Sequence, residues 1–421
     1  MINTKVLKSG TRLAVSSMKG FEGVSFKLFV FCGSSNEIKE KEYGISHLIE
    51  HMFFKGTKTR DSYKIVQEFD EAGIQPNAYT SKDTTCYYTY GTNDSIEKSV
   101  ELISDMFFNS VFDKVELERE KQVVLEEMLM YQDKPDVVCE ISLEESFYKN
   151  TSFAHDIIGT KESVLNITRE DILKYYKKHY SPKNIILSFA GNISLDEAEM
   201  LVNKYFEPYF KKTENFVYNP KKLNYNINKE QVKIVKSTKQ AQVIIAYKTT
   251  NRYCEKETLI YSLISQILGG GMSSRLFQEV REKLGLVYTI QTYNEANNLA
   301  GLFSISFGTN LKNVPLALKT IKKVLLDVVN NGFTEEELNK NVKMAKTALK
   351  LKLDSPSFVA TKIATCLQYK NEVYSKENTI KLIESITLND INSFAKKLFS
   401  EENFVITMVS KSNKLDLFKY F

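Results

Sequence analysis

The feature that most constrains this chain is an internal repeat. Tyr43-Gly44-Ile45-Ser46-His47 lines up with Tyr261-Ser262-Leu263-Ile264-Ser265, and a helix start at Phe112 lines up with one at Phe333-Thr334-Glu335-Glu336-Glu337-Leu338. At 421 residues the chain is too long for one ordinary hydrophobic core, so two copies of one α/β unit account for it. Between them, Phe210 to Glu230 is polar, rich in Asn and Lys, and interrupted by Pro220, which marks a boundary. The expected division is a first domain over 1–212, a linker over 213–230 and a second domain over 231–421.

The copies differ in one respect that bears on function. The first contains His47-Leu48-Ile49-Glu50-His51, half of the chain's four histidines in five residues. Residues four apart share a helix face, so the two imidazoles can be offered to one metal ion. Glu50 sits beside that face, where its carboxylate can take a proton from a water at the metal, the inverted order of the HExxH signature. Continued without gaps, the repeat puts Ser265, Leu268 and Gly269 opposite His47, Glu50 and His51. The second copy therefore has no such site. Two histidines falling four apart on an ordinary amphipathic helix is the bland alternative, and the joint loss of all three residues from the copy speaks against it.

A catalytic zinc usually has three protein ligands and one open position. A third is available from the long helix expected from Phe112 to about Tyr131, rich in good helix formers. Glu120 and Glu127 are seven apart and share a face with Val123 and Val124, and a carboxylate turned toward a core needs a partner there. Periodicity alone does not separate Glu126 from Glu127. By the same gapless register Ala348 stands opposite Glu127.

Composition excludes several other classes. With 43% hydrophobic and 26% charged residues the chain is of the soluble globular type. Its net charge of +5 is spread along the whole length, without a polybasic tail, so no nucleic acid is expected as a partner. Cys32, Cys86, Cys139, Cys254 and Cys366 are odd in number, widely spaced and include no CxxC pair, which suits free thiols in a reducing compartment. No apolar h-region opens the sequence and no apolar run approaches 18 residues, so a cytoplasmic protein without a membrane partner is expected.

Along the first copy, Leu13 to Gly33 reads as two strands, and Glu37 to Glu42 as a charged loop. The HLIEH helix starts near Gly44 with Ser46 as N-cap and stops near Gly56. A helix from Ser62 to Glu71 leads to Gln75-Pro76-Asn77-Ala78-Tyr79-Thr80, where Pro76 argues for a sheet edge able to receive a peptide as an added strand; an ordinary turn is the other reading. Thr84 to Tyr90 is β-prone, Ser95 to Phe107 and Lys161 to Tyr176 read as helical, and Ile185 to Ala190 as a strand. His155 and His179 have no ligand-spaced partner and read as structural.

In the second copy, Gly269 to Tyr288 (GGGMSSRLFQEVREKLGLVY) has a triple glycine but no following Gly-Lys-Ser/Thr, which argues against a phosphate loop. Arg281 and Tyr288 flank Gly285, a helix terminator. They bind a peptide carbonyl or stabilise an oxyanion, or simply end a solvated helix.

Taken together, these residues resemble the pitrilysin, insulysin and mitochondrial processing peptidase family of inverted-zincin metallopeptidases over nearly the whole chain. HLIEHMFFKGT matches the family's metal helix, and EKQVVLEEM its downstream acidic segment. The resemblance implies one Zn2+ per chain held by His47, His51 and Glu127, with Glu120 steadying the site and Glu50 as general base. It implies that Asn77, Ala78 and Thr80 belong to a substrate-pairing edge strand and that Arg281 and Tyr288 contact substrate near the zinc. The implied fold is α+β: two homologous α/β domains, each an antiparallel sheet with helices packed on one side. The implied activity is zinc-dependent endopeptidase action on extended peptides. In length the chain resembles half-length members, which enclose a chamber as dimers. It carries both sets of parts, so the implied assembly is a homodimer whose two sites are each finished by the partner. Asn150 to Gly159 departs from the family's His-Pro-containing segment, which affects local packing and not the metal.

Overall fold

The protein's structure is a computed structural model that describes residues 2–210, 223 and 225–421, so most of the expected linker over 213–230 lies outside the described residues. In the first half the elements are β1 (Ile2–Val6), β2 (Arg12–Ser17), β3 (Gly23–Val30), α1 (Ile45–Met52), α2 (Ser62–Glu71), β4 (Gln75–Thr80), β5 (Thr85–Thr92), α3 (Ile96–Asn109), α4 (Lys114–Gln132), α5 (Pro135–Phe147), α6 (Lys161–Asn166), α7 (Arg169–His179), β6 (Ile185–Gly191), α8 (Leu195–Tyr205) and α9 (Glu207–Phe210). The helical region expected over 161–176 is two helices, the second opened by Thr168 in a capping box with Asp171.

The second half follows with β7 (Glu230–Val235), β8 (Ala241–Thr249), α10 (Glu255–Gly269), β9 (Val287–Ala296), β10 (Gly301–Thr309), α11 (Val314–Asn331), α12 (Glu335–Lys352), α13 (Pro356–Lys370), α14 (Lys376–Glu384), α15 (Leu388–Ser400) and β11 (Val405–Ser410). One sheet runs β1-β2-β6-β3-β5-β4 and the other β7-β11-β8-β10-β9. Apart from β1, the two orders are the same, as two copies of one unit require. Each sheet also contains one parallel pair, β2 with β6 and β7 with β11, among otherwise antiparallel neighbours. In the first sheet β3 sits centrally and is almost wholly buried. Phe26 pairs with Phe189 and Leu28 with Leu187 across it, and the two phenylalanine rings stack at 4.6 Å.

The chain divides into two compact units that are not its two halves. Unit 1 gathers Met1–Met128, His155–Asn219 and Lys350–Tyr374; unit 2 gathers Leu129–Ala154, Pro220–Leu349 and Ser375–Phe421. The units exchange helices relative to a contiguous division at 212 and 231, and side-chain burial explains the grouping. Helix α13 lays Val359, Ala360, Ile363, Ala364 and Leu367 on the face of the first sheet formed by Ala14, Phe29, Phe31, Cys86, Ile186 and Ala190. Helix α5 does the same in unit 2, with Cys139, Leu143 and Phe147 against Ile244, Ala246, Leu302, Val405 and Val409. Each fully buried aliphatic side chain contributes about 1.5–3 kcal/mol, so neither sheet face could be left to water. Helices therefore cover a second face of each sheet in addition to the one expected. On the other face of the second sheet, Val243, Ile245, Phe303, Ile305 and Ile406 join Ile264, Leu268, Leu318 and Ile391 from α10, α11 and α15.

Candidate metal centre

Helix α1 presents Ile45, Leu48, Ile49 and Met52 to the core, which turns His47, Glu50 and His51 toward the opposite, partly open side. Its start is held differently from the sequence expectation. Gly44, with φ +88°, is the N-cap, a backbone state favouring glycine, and a Cβ there would meet the Ile158 carbonyl oxygen at 2.5 Å. The cap itself comes from Glu37, whose carboxylate accepts hydrogen bonds from the backbone N–H of Gly44 and of Ser46, both at 2.8 Å. Ser46 instead spends its hydroxyl on Tyr175 at 3.0 Å. Glu37 is fully buried and pairs with His155 Nε2 at 3.1 Å, while the His155 ring stacks on Tyr43 at 3.8 Å. Burial pushes the Glu37 carboxyl above its usual range against these partners.

Helix α4 brings the acids. Glu127 is half-buried and Glu126 is exposed, which resolves the choice that periodicity left open; Val123 also turns to solvent while Val124 is buried. The Glu127 carboxylate lies 3.8 Å from His47 Nε2 and 3.7 Å from His51 Nε2. One ligand-type atom from each of these three residues lies within 4.8 Å of the others. Glu120, 4% exposed, occupies the other nitrogen of His51, with Oε2 at 3.1 Å from Nδ1, and its second oxygen is 2.7 Å from Lys55 Nζ. His51 is thereby oriented with Nε2 facing Glu127.

The local charges follow from this packing. Burial, with His51 beside it, pushes His47 down to about 3, so its imidazole stays neutral and able to ligate. At His51, burial acts to lower the value but is outweighed by the Glu120 hydrogen bond and the charges of Glu50, Glu120 and Glu127, so the net direction is up. Burial likewise opposes ionisation of Glu120, yet His51 and Lys55 hold it below the ordinary range. Glu50 is raised by burial, with Thr80 working against the shift. Two imidazoles and one carboxylate converging with a carboxylate-anchored histidine fit a zinc donor set, and the buried Nδ1 of His47 has no hydrogen-bond partner among the described residues.

Strand β4 is the edge of the first sheet, paired to β5 with Asn77 opposite Tyr88 and Ala78 opposite Tyr87. Ala78 and Thr80 are half-buried and Asn77 is exposed, its side-chain oxygen accepting from Ala78 N–H at 2.8 Å. Thr80 reaches the α1 cluster, its hydroxyl donating to Glu50 Oε2 at 2.5 Å. Arg281 and Tyr288 belong to unit 2, the first on a π-helical turn over Phe277–Glu282 and the second at the start of edge strand β9. There they meet each other, the guanidinium standing 5.2 Å from the Tyr288 ring centre, and Tyr288 is 76% exposed. His179 is buried, with its ring against Tyr175. Among the described residues no disulfide is formed and no helix is long and apolar enough to cross a membrane.

Sequence reasoning missed Glu37 and Lys55. Lys55 was within reach, four residues beyond His51 and hence on its side. Glu37 had no local signal, because it acts on a helix that begins several residues later.

Known proteins share this architecture. A family model described as Insulinase (Peptidase family M16) matches residues 13–161, and one described as Peptidase M16 inactive domain matches residues 166–344. An uncharacterized zinc protease of Bacillus subtilis, YmxG, is 32% identical over 99% of this chain and 100% of its own length. An uncharacterized zinc protease of Rickettsia felis is also 32% identical, over 94% of this chain and 95% of that one. Among solved structures, a protease from Helicobacter pylori superposes with a TM-score of 0.91 at 23% identity, covering 97% of this chain and 99% of that one. A Pseudomonas fluorescens peptidase M16 inactive domain does so with a TM-score of 0.90 at 20% identity, covering 99% of each. This chain belongs to the insulinase family, peptidase family M16, in its half-length form.

Proposed function

We propose that this chain is a zinc metalloendopeptidase that cuts extended or unfolded peptides. The observation that carries the reading is the convergence of His47, His51 and Glu127 beside Glu50, on a helix tied to a free sheet edge. His47, His51 and Glu127 would hold one zinc per chain, and Glu120 would fix the orientation of His51. Bound zinc supplies Lewis acidity to the attacking water and the scissile carbonyl. Glu50 takes the proton of that water and returns it to the leaving amine nitrogen, a role suited to a carboxylate whose proton affinity is raised by burial. The peptide lies as an added strand along Asn77, Ala78 and Thr80 on β4, with its backbone supplying the affinity. Arg281 grips the substrate and the Tyr288 phenol stabilises the developing oxyanion.

In this reading the protein works in the cytoplasm as a homodimer enclosing a chamber, and Arg281 and Tyr288 of one protomer complete the site of the other. A catalytically silent peptide-binding or scaffold subunit is the competing function within the same family. The complete donor set favours the enzyme. Metal analysis with a peptide-library digest, with and without chelator, separates the two. About one zinc per chain and chelator-sensitive cleavage are expected, and Glu50→Gln should keep the metal while cutting turnover on the order of 10²–10⁴-fold. Metal well below one ion per chain with no chelator-sensitive cleavage would establish the scaffold.

A further inference from the structure

We infer that Thr80 is a positioning residue: its hydroxyl orients the Glu50 carboxylate and couples the general base to the edge strand, and does not itself hold substrate. The inference rests on the peptidase reading above and narrows it. Among the described residues, the hydrogen bond at the Glu50 carboxylate comes from Thr80 Oγ1, at 2.5 Å to Oε2. A half-buried carboxylate is steadied by such a partner, and an unpinned Glu side chain would sample several rotamers. Threonine suits the task because its branched Cβ restricts χ1, so the direction of the hydroxyl follows from the strand's backbone.

The placement within β4 supports this assignment. Side chains alternate along the strand: Gln75, Asn77 and Tyr79 are exposed, whereas Pro76, Ala78 and Thr80 are half-buried on the side that meets α1. A peptide added at the edge bonds to strand backbone, and Thr80's only hydroxyl proton is already committed to Glu50. Seating a peptide on β4 therefore fixes the strand that holds the base.

The second copy provides a contrast. There the same helix-to-edge-strand junction is made by Ser265 and Thr292, with Ser265 Oγ donating to the Thr292 carbonyl at 2.8 Å and Thr292 Oγ1 donating to the Ser265 carbonyl at 2.6 Å. Those bonds are buried and end on backbone, so they only join helix to strand. In the first copy the bond ends on an ionisable side chain, beside three groups of metal-ligating type.

The test compares Thr80→Val, which keeps the shape without the hydroxyl, with Thr80→Ser, which keeps the hydroxyl. Thr80→Val should lower kcat on the order of 10- to 100-fold, with KM changed by less than about twofold and zinc per chain unchanged. Thr80→Ser should recover most of the lost kcat. In a Glu50→Gln background, adding Thr80→Val should leave the Kd for a labelled unstructured peptide unchanged, because the hydroxyl then has no carboxylate to orient. A raised KM or Kd with kcat intact would overturn the inference in favour of direct substrate contact, and unchanged kinetics would overturn it outright. Crystal structures of the wild type and Thr80→Val give a readout independent of turnover. Glu50 should lose its single orientation in the variant, and retention of the same rotamer would refute the inference even if the wild type proved unable to cut peptides, an outcome that would refute the peptidase reading separately.

Discussion

The two copies of the α/β unit have the same strand order but opposite treatment of one junction, the first helix against the long helix and the edge strand. In the first copy that junction is open and polar: His47, Glu50 and His51 on α1 face Glu120 and Glu127 on α4. In the second, the register puts Ser265, Leu268 and Gly269 on α10 and Ala348 on α12. Leu268 is fully buried, and a Cβ on Gly269 would lie 2.8 Å from Thr292 N and from its Oγ1. The helix has closed onto the strand where the first copy keeps room for an imidazole. A scaffold of this kind does not need the polar junction in order to fold, so in the first copy the junction must be retained for something else.

Removing one proposed ligand should break the comparison most severely. Glu127→Ala gives the first copy the residue that the second has at that position, and bound zinc should fall from about one ion per chain to near zero, with all chelator-sensitive cleavage. The reciprocal change Ala348→Glu should gain no metal, since neither histidine is present opposite it. Zinc retained by Glu127→Ala would move the third ligand elsewhere, with Glu120 the first residue to examine.

The next effect tests which copy contributes what. In the proposed homodimer, a Glu50→Gln protomer and an Arg281→Ala protomer should each be nearly inactive alone, and mixed dimers should regain a substantial fraction of wild-type activity. Stable mixed dimers with no activity would mean that the base and the Arg281-Tyr288 pair act within one chain.

A smaller effect is expected at the start of α1. Glu37→Ala would leave the N–H groups of Gly44 and Ser46 and the Nε2 of His155 without their buried acceptor. Breaking a buried pair in this way costs about 3–5 kcal/mol, and the loss should appear as a lower denaturation midpoint with weakened zinc binding. Among the described residues no buried carboxylate stands at the start of α10, and its N-cap Cys254 makes no side-chain cap bond. Cys254→Ala should therefore leave stability unchanged within about 0.5 kcal/mol, and equal losses in the two variants would erase the distinction.

How far the sequence revealed this structure depends on the distance over which each signal acts. The HLIEH spacing, the bounds of α2 and the edge position of β4 come from patterns within a few residues, and the sequence carries them: Ser62–Glu71 is the helix it implies. Glu126 and Glu127 differ by one position on a helix whose seam twists, so only packing separates them. The exchange of α5 and α13 between units was not legible at all. Periodicity shows that Val359, Ile363 and Leu367 form an apolar stripe, but not that Phe29 and Ile186, more than 170 residues away in sequence, are what it covers. Glu37 is the same problem in the candidate site. A glutamate in a charged stretch reads as solvated until the chain folds it under a helix end.

The smallest expected effect concerns how each unit answers acid. In unit 1, Arg60 contacts Glu68 at 3.1 Å, Glu101 at 2.5 Å and Asp105 at 2.7 Å. In unit 2, Arg275 holds Glu337 at 2.7 Å and Asp327 at 3.0 Å. The Arg60 hydrogen bond, aided by Lys98, outweighs burial and holds the Glu68 carboxyl down at about 2, and Glu337 is also lowered because its bonds to Arg275 and Thr334 outweigh burial. A depressed folded-state value means that the unfolded chain takes up the proton first. The stabilisation is therefore complete above the ordinary glutamate value of about 4.5 and is lost as pH falls from there toward about 2. Arg60→Met should remove most of the Glu68 share of that dependence, giving a shallower fall in the denaturation midpoint between about pH 4.5 and 2 and little change in its slope above pH 5. The same titration of Arg275→Met should flatten the acid limb less, because Arg275 gathers two carboxylates where Arg60 gathers three. Acid limbs parallel to wild type in the Arg60 variant would show that the three contacts are surface pairs exchanging freely with water.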